Sequence, residues 1–339
     1  MSASTDEVSF GTVVIGQTVN SSVTVTNQGS TAVAISQFTV SGSPFSVIGG
    51  TSVPVTLAAG ASETVNLSFD PTSTGDADGQ LEISSNSAAT PTTMVRLHGT
   101  GAHIFNTFTC NSTSVTGAES DTCTITLNSK AGSGGLAVNL ASNTAAVTVP
   151  SSITVPAKAT SATFTASVSA VNSSQTASLT ASTSKDSIAF SLQLNPALAT
   201  MSASPSTLNF GNVAVGSTGT QTLTLNSTGT APLTVASIVP GSGFSISGAT
   251  FPLTLNPSQT ATLHVLFSPT SSGAASGQLT INSNSSTGSS STVALAGTGV
   301  PVLKAISCTN SSMTGAGTDA CTVSLNAAAP SGGMVVSLA

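Results

Sequence analysis

FDPTSTGDADGQLEISSNS at residues 69–87 returns as FSPTSSGAASGQLTINSNS at residues 267–285, a displacement of 198. Within it GQLEI (79–83) alternates polar and apolar side chains with period two, the mark of a strand with one buried face. Further out, VSFGTVVIGQT (8–18) matches LNFGNVAVGST (208–218) at a displacement of 200, and HGTGA (98–102) matches AGTGV (296–300) at 198. Two residues have therefore dropped out of the loops between. The cysteine stretches TCNSTSVTGAESDTC (109–123) and SCTNSSMTGAGTDAC (307–321) keep the same 198. The chain is thus an A-B-A-B array, with A units of about 100 residues and B units of about 95.

Every local pattern is that of a β-strand. SSVTVTN (21–27), ETVNLSF (63–69), TQTLTLN (220–226) and ATLHVLF (261–267) alternate in the same way between Gly, Pro, Asn or Ser. No stretch has a 3.6-residue period. Short strands spaced about ten residues apart in units of this size predict an all-β fold of tandem Greek-key β-sandwiches, the last one partial. The expected divisions are 1–102, 103–197, 201–300 and 302–339, with NPALATMSASP (195–205) as a proline-marked joint. PSGGMVVSLA (330–339) matches GSGGLAVNLA (132–141), after which the first B copy runs on. Residues 302–339 are therefore expected to be an incomplete sandwich that frays or docks on the preceding unit. MSAS opens the chain and recurs at 201–204, so the array is read as a segment of a longer one.

Composition narrows the functions. Asp, Glu, Lys and Arg make up 5% of the residues, against roughly 25% in an average soluble protein. A net charge of −6 with five basic residues supplies no stripe able to neutralise phosphates, which argues against nucleic acid as a partner. Ser, Thr, Asn or Gly interrupts every hydrophobic stretch, so this segment holds no membrane span. Trp and Tyr are absent, leaving twelve Phe with Val, Ile and Leu to form the cores.

In the A units, FG-x-V-x-V-G is followed by VTNQG or LNSTG, then F-x-P-T-x-x-G and a closing L-x-GTG. This set resembles the ASH or Hydin-type immunoglobulin-like domain, also known as choice-of-anchor D in bacterial surface proteins. The residues that carry it are Phe10, Gly11, Gly16, Asn27, Gly29, Phe69, Pro71, Gly75, Gly99 and Gly101. Their expected partners are Phe210, Gly211, Gly216, Asn226, Gly229, Phe267, Pro269, Gly273, Gly297 and Gly299. The B unit is similar to a second bacterial immunoglobulin-like repeat of extracellular proteins. Together the resemblances imply an extracellular or cell-surface location in a bacterium.

Cys110 is expected to pair with Cys123, and Cys308 with Cys321, across a Thr-Gly turn at Thr116-Gly117 and Thr314-Gly315. Zinc is the competing reading, although twelve residues between cysteines, with no C-x₂-C, do not fit the usual ligand spacing. Disulfides would place the chain in an oxidising compartment. A calcium site is a weaker candidate: Asp70, Asp76 and Asp78 bring three carboxylates together within nine residues, but the sister copy reads Ser268, Ala274 and Ser276. Of the three histidines, His98 becomes Ala296 and His264 aligns with Asn66, so with His103 they point to no catalytic set. No cofactor is expected. The reading is a non-enzymatic extracellular stalk, spacer or adhesive scaffold whose partners are the neighbouring repeats, with other surface proteins or glycans as further partners. The alternatives are a glycan- or calcium-binding module, or a non-catalytic appendage of a larger secreted enzyme.

Overall fold

The structure, a computed structural model, describes residues 1–49 and 52–338. It is all-β. The first A unit contributes β1 (Ser2–Ala3), β2 (Glu7–Val14), β3 (Val19–Thr26), β4 (Val33–Ser41), β5 (Phe45–Val47), β6 (Val55–Leu57), β7 (Ser62–Phe69), β8 (Gly75–Ser85) and β9 (Thr92–Ala102). They form one sheet in the order β1-β3-β7-β5 and a second in the order β2-β9-β8-β4-β6. Neighbours are antiparallel except β2 and β9, which run parallel from Glu7 opposite Arg96 to Val14 opposite Ala102.

The first B unit supplies β10 (Phe105–Cys110), β11 (Ser114–Thr116), β12 (Glu119–Leu127), β13 (Leu136–Ser142), β14 (Val147–Thr148), β15 (Ser152–Val155), β16 (Ser161–Val168), β17 (Gln175–Ser182) and β18 (Ser187–Asn195). Its sheets read β10-β12-β16-β14 and β11-β18-β17-β13-β15, with β11 parallel to β18. Strand for strand this is the order of the A unit. The strands from Met201–Ser204 to Ser290–Val300 repeat it a third time. A and B units therefore share one topology on sequences with no common motif, as expected when the pattern of buried faces rather than particular side chains specifies the fold.

Each sandwich closes over its own apolar centre. In the first, Val23, Val25, Ile35, Leu67, Leu81, Ile83 and Val95 are buried between the sheets. Phe10, Phe45 and Phe69 stack at one end with ring centroids 4.9 to 5.7 Å apart. Phe210, Phe244 and Phe267 rebuild that trio in the second A unit at 5.0 to 5.7 Å. The closing GTG explains itself there: a Cβ on Gly99 would lie 2.7 Å from the Phe69 ring, and one on Gly101 would collide with the Ser73 carbonyl oxygen. Gly297 and Gly299 meet Phe267 and Ser271 in the same way. Only a bare backbone lets the last strand lie this close to its neighbours.

The chain divides into two compact units, one ending at Asn195 and the other beginning at Pro196. The second ends in a two-stranded sheet, Leu303–Cys308 against Cys321–Leu325. These are the counterparts of β10 and β12. Leu303 and Ile306 are 54% and 58% exposed, whereas their counterparts Phe105 and Phe108 are buried in the complete sandwich. Of the expected fraying or docking, the structure shows, among the described residues, a hydrogen bond to the preceding sandwich from Asn326 Nδ2 to the Val215 carbonyl at 2.6 Å.

The asparagine pairing differs from the expectation. Thr26 lies opposite Ser2 and Asn226 opposite Ser202, so Ser227, not Asn226, stands in the place of Asn27. Asn27 is 1% exposed and Ser227 2%.

Candidate functional site

The two sandwiches of the first unit meet at a junction held by side chains from both. Only His103 and Ile104 separate β9 from β10, so the last strand of one sandwich hands the chain directly to the first strand of the next. A link this short leaves several backbone donors in the joint, and one carboxylate satisfies them. Asp186, in the turn before β18, accepts from the backbone N–H of Ile104 at 2.6 Å and of Phe105 at 3.3 Å. It also accepts from the Ser187 N–H at 2.9 Å and faces His103 Nδ1 at 2.9 Å. Burial pushes the Asp186 carboxyl up, but the His103 contact and the three backbone N–H groups outweigh it and hold it below its ordinary value of 3.8.

The other side of the link is held by the end of β12. Asn128 donates its backbone N–H to the Ile104 carbonyl, and its side-chain amide to the carbonyls of His103 at 3.0 Å and Phe105 at 3.2 Å. The loop after β2 supplies the apolar part: Ile15 is 5% exposed and belongs to the core of the second sandwich, with Val14 packed beside it. Next to it Gln17 Nε2 donates to Ser129 Oγ at 2.8 Å. A cleft of about 200 Å³ remains between Ile15, Gln17, Ile104 and Lys130. The joint is thus pinned by the apolar Ile15, the Asp186 carboxylate and hydrogen bonds from Asn128 and Gln17, which a flexible tether would lack.

The disulfide cysteines sit one strand along. The structure bonds Cys110 to Cys123 and Cys308 to Cys321, and no free cysteine remains among the described residues. Cys110 and Cys123 face each other at a Cα separation of 3.9 Å, at a position where the flanking N–H of Asn111 bonds to the Thr122 carbonyl. That is a non-hydrogen-bonded pair, where side chains of antiparallel strands come closest. The chain between them does not simply turn back at Thr116-Gly117. It crosses to the opposite sheet, adds β11 beside β18 and returns, so the bridge closes a loop that spans both sheets. In the second copy Asp319 adds a carboxylate to Cys308 and Cys321, the one such cluster among the described residues, but its two sulfurs are bonded to each other.

The acidic turn is arranged differently from a metal cage. Asp70 follows β7 and is exposed. Asp76 and Asp78 lie on the outer face of β8 and are taken up by β9: Thr100 Oγ1 donates to Asp76 Oδ1 at 2.7 Å, and His98 Nδ1 meets Asp78 Oδ1 at 2.9 Å. The Asp78 carboxylate holds the His98 imidazole above its ordinary value of 6.5. Each contact takes one oxygen of its carboxylate, and among the described residues Asp70, Asp76 and Asp78 do not bring their oxygens together within reach of one ion. His103 belongs to the junction, and His264 lies exposed on Thr260–Phe267.

The junction residues were open to notice in part. Leu127-Asn128 recurs as Leu325-Asn326, and the apolar Ile15 recurs as Val215, both inside the repeated motifs. Asp186 carries no such signal, because its partners across the joint, His103, Ile104 and Phe105, lie more than 80 positions away.

Strand order and junction together define a tandem immunoglobulin-like repeat protein. The chain belongs to the family described as Cep192 domain 4, whose model matches residues 1–102 and 198–300, more than half of its length. No curated protein matches the sequence. Among solved structures it is similar to the ASH/PapD-like domain 7 of human CEP192, with 19% identity, 30% of this chain and 84% of that one covered, and a TM-score of 0.23. It is also similar to titin domains I67–I69, with 12% identity, 86% and 95% covered and a TM-score of 0.35. The D0-D1 domain of intimin matches at 18% identity over 57% of this chain and 95% of that one, with a TM-score of 0.24. At these scores the strand order, not the likeness, carries the fold.

Proposed function

We propose that the chain is a non-catalytic, extracellular array of sandwiches that works as a stalk, spacer or adhesive scaffold on a bacterial surface. The array divides at 1–102, 103–197, 201–300 and 302–339. The observation that carries this reading is the pinned junction: Ile15 buried in the next core and Asp186 holding the link make successive sandwiches behave as one rod segment. Repeats that contact chiefly their neighbours set a length by copy number, which is the property a spacer needs. The disulfides support the location, since such bonds persist in oxidising compartments. They also suit the task. The bridge keeps residues 111–122 out of any mechanical extension of the unit.

Pulling single molecules of the full chain tests the reading. Separate unfolding events are expected for the successive sandwiches. Adding reductant should lengthen the event of the 103–197 unit by about 40 Å, the extended reach of the 13 chain steps from Cys110 to Cys123 less the 3.9 Å the bridge already spans. A chain that extends without discrete events, or shows no change on reduction, would sink the proposal.

A further inference from the structure

The loop after β12 borders the cleft at the joint and carries features that the fold itself does not use. Ser129, Lys130 and Gly132 line that cleft of about 200 Å³, together with the buried apolar Ile15, Ile104 and Leu127. The φ of Gly132 lies outside the left-handed region, and a Cβ there would meet nothing within 4 Å, so neither backbone strain nor space demands a glycine. The N–H groups of Ser129, Lys130 and Gly132 have no backbone acceptor among the described residues.

The second B copy shows what the turn alone requires. Gly135 donates its N–H to the Gly132 carbonyl at 2.9 Å, and Gly333 donates to the Pro330 carbonyl at 2.8 Å, so the two loops share one turn. Yet Ala328 and Pro330 stand there in place of Lys130 and Gly132. A proline has no N–H to give, hence the turn does not use the one on Gly132. The first copy holds a cation and a free donor that its sister lacks.

Further cations gather around the same loop, in a chain with five basic residues and a net charge of −6. The Lys158 N–H donates to the Ala131 carbonyl at 2.9 Å, which sets a second lysine beside Lys130. Lys158 holds a φ of 65°, in a turn where the first sandwich places Gly60. From the turn before β18, Lys185 lies over Gly16, which lines the cleft from the other sandwich: a Cβ on that glycine would stand 3.2 Å from Lys185 Nζ. The ion pairs among the described residues are those of His98 and His103, so none of the three lysines is neutralised. Asp186, next to Lys185, is taken up by His103 and by the N–H groups of Ile104, Phe105 and Ser187.

We propose that the cleft receives the C-terminal carboxylate of a peptide that ends in a small apolar residue. The carboxylate meets Lys130 and Lys185 and accepts from the free N–H groups of residues 129–132, while the terminal side chain rests against Ile15 and Ile104. Charge-assisted bonds to lysines and backbone donors supply the affinity, and the apolar wall separates a peptide end from a bare anion. The inference rests on the junction geometry and not on the stalk reading, which keeps its own pulling experiment.

Titrating the full chain with N-acetyl-Ala-Ala, followed by amide signals, decides it. The amides of 129–135 and of Gly16 and Gln17 should shift together and saturate by about 10 mM, as a site of millimolar affinity would. The C-terminal amide of the same dipeptide, which lacks the charge, and acetate, which lacks the apolar body, should each bind about tenfold or more weakly. Lys130→Ala and Gly132→Pro give the loop its sister's residues, so the fold is expected to stand and the signals of the strands to stay in place. Each should weaken the dipeptide about threefold or more. No saturable shift, equal binding of the neutral dipeptide amide or of acetate, or an affinity unchanged by Lys130→Ala overturns the site.

Discussion

Asn27 and Ser227 fill one buried position with different chemistry, and the contrast shows how a single side chain holds a loop. Asn27 Nδ2 donates to the carbonyls of Thr31, Leu57 and Ala58 at 2.8 to 3.1 Å, while its Oδ1 accepts from the Gly29 N–H at 3.0 Å. Ser227 Oγ has no partner among the described residues. Losing the amide strands buried carbonyls, whereas losing an unsatisfied hydroxyl removes a desolvated group that gave nothing back. Asn27→Ala should therefore cost the first sandwich about 2–3 kcal/mol, and Ser227→Ala should cost the second less than about 0.5 kcal/mol or stabilise it. With no Trp or Tyr as a probe, chemical denaturation followed by amide signals from each sandwich gives the comparison. Equal losses would show that the asparagine is not the anchor. Gly101→Ala should destabilise its sandwich by about 2 kcal/mol or more, since the Ser73 backbone must move to admit the methyl. The asparagines of TNQG and NSTG line up by eye at a slip of one residue. Period-two alternation could have caught this, because a slip of one sends a side chain to the opposite face.

Strand positions were legible because each has one buried face, but their partners were not. Alternation reports that a face is covered and says nothing about which strand lies beside it. Hence the crossing of β11 to the far sheet, and the shared order of A and B units, emerge only from the pairing. This changes the weight of the two disulfides. Cys110–Cys123 ties a loop inside a complete core, so replacing both cysteines with Ala should cost that sandwich roughly 3 kcal/mol. Replacing Cys308 and Cys321 should scarcely alter the melting of 201–300, since Leu303 and Ile306 beside them are already exposed. Comparable losses at both sites would contradict the assignment. Asp186 gives the junction an acid sensitivity with a defined sign. Its folded carboxyl titrates below the unfolded value of 3.8, so its contribution is present above that value and lost as pH falls through the lower folded one. Asp186→Asn should flatten the acid limb of the stability curve of the first unit. An unchanged limb would remove the carboxylate from the account.

At the scale of the whole chain, the A-B-A-B order and the sandwich class were readable from spacing and alternation alone. The junction was not, because it is made by pairs such as His103 with Asp186, far apart in sequence and with no local pattern to betray them. The family match over residues 1–102 and 198–300 agrees with the two A units and leaves the B units to be recognised by topology. The central claim is that the two sandwiches of residues 1–195 are joined stiffly enough to transmit position and force. Nitrogen-15 relaxation of the full chain measures it. The account predicts that amides of 1–102 and of 103–195 report one common tumbling time, with His103 and Ile104 as rigid as the strands they join. Two distinct tumbling times, with fast motion at His103 and Ile104, would contradict it.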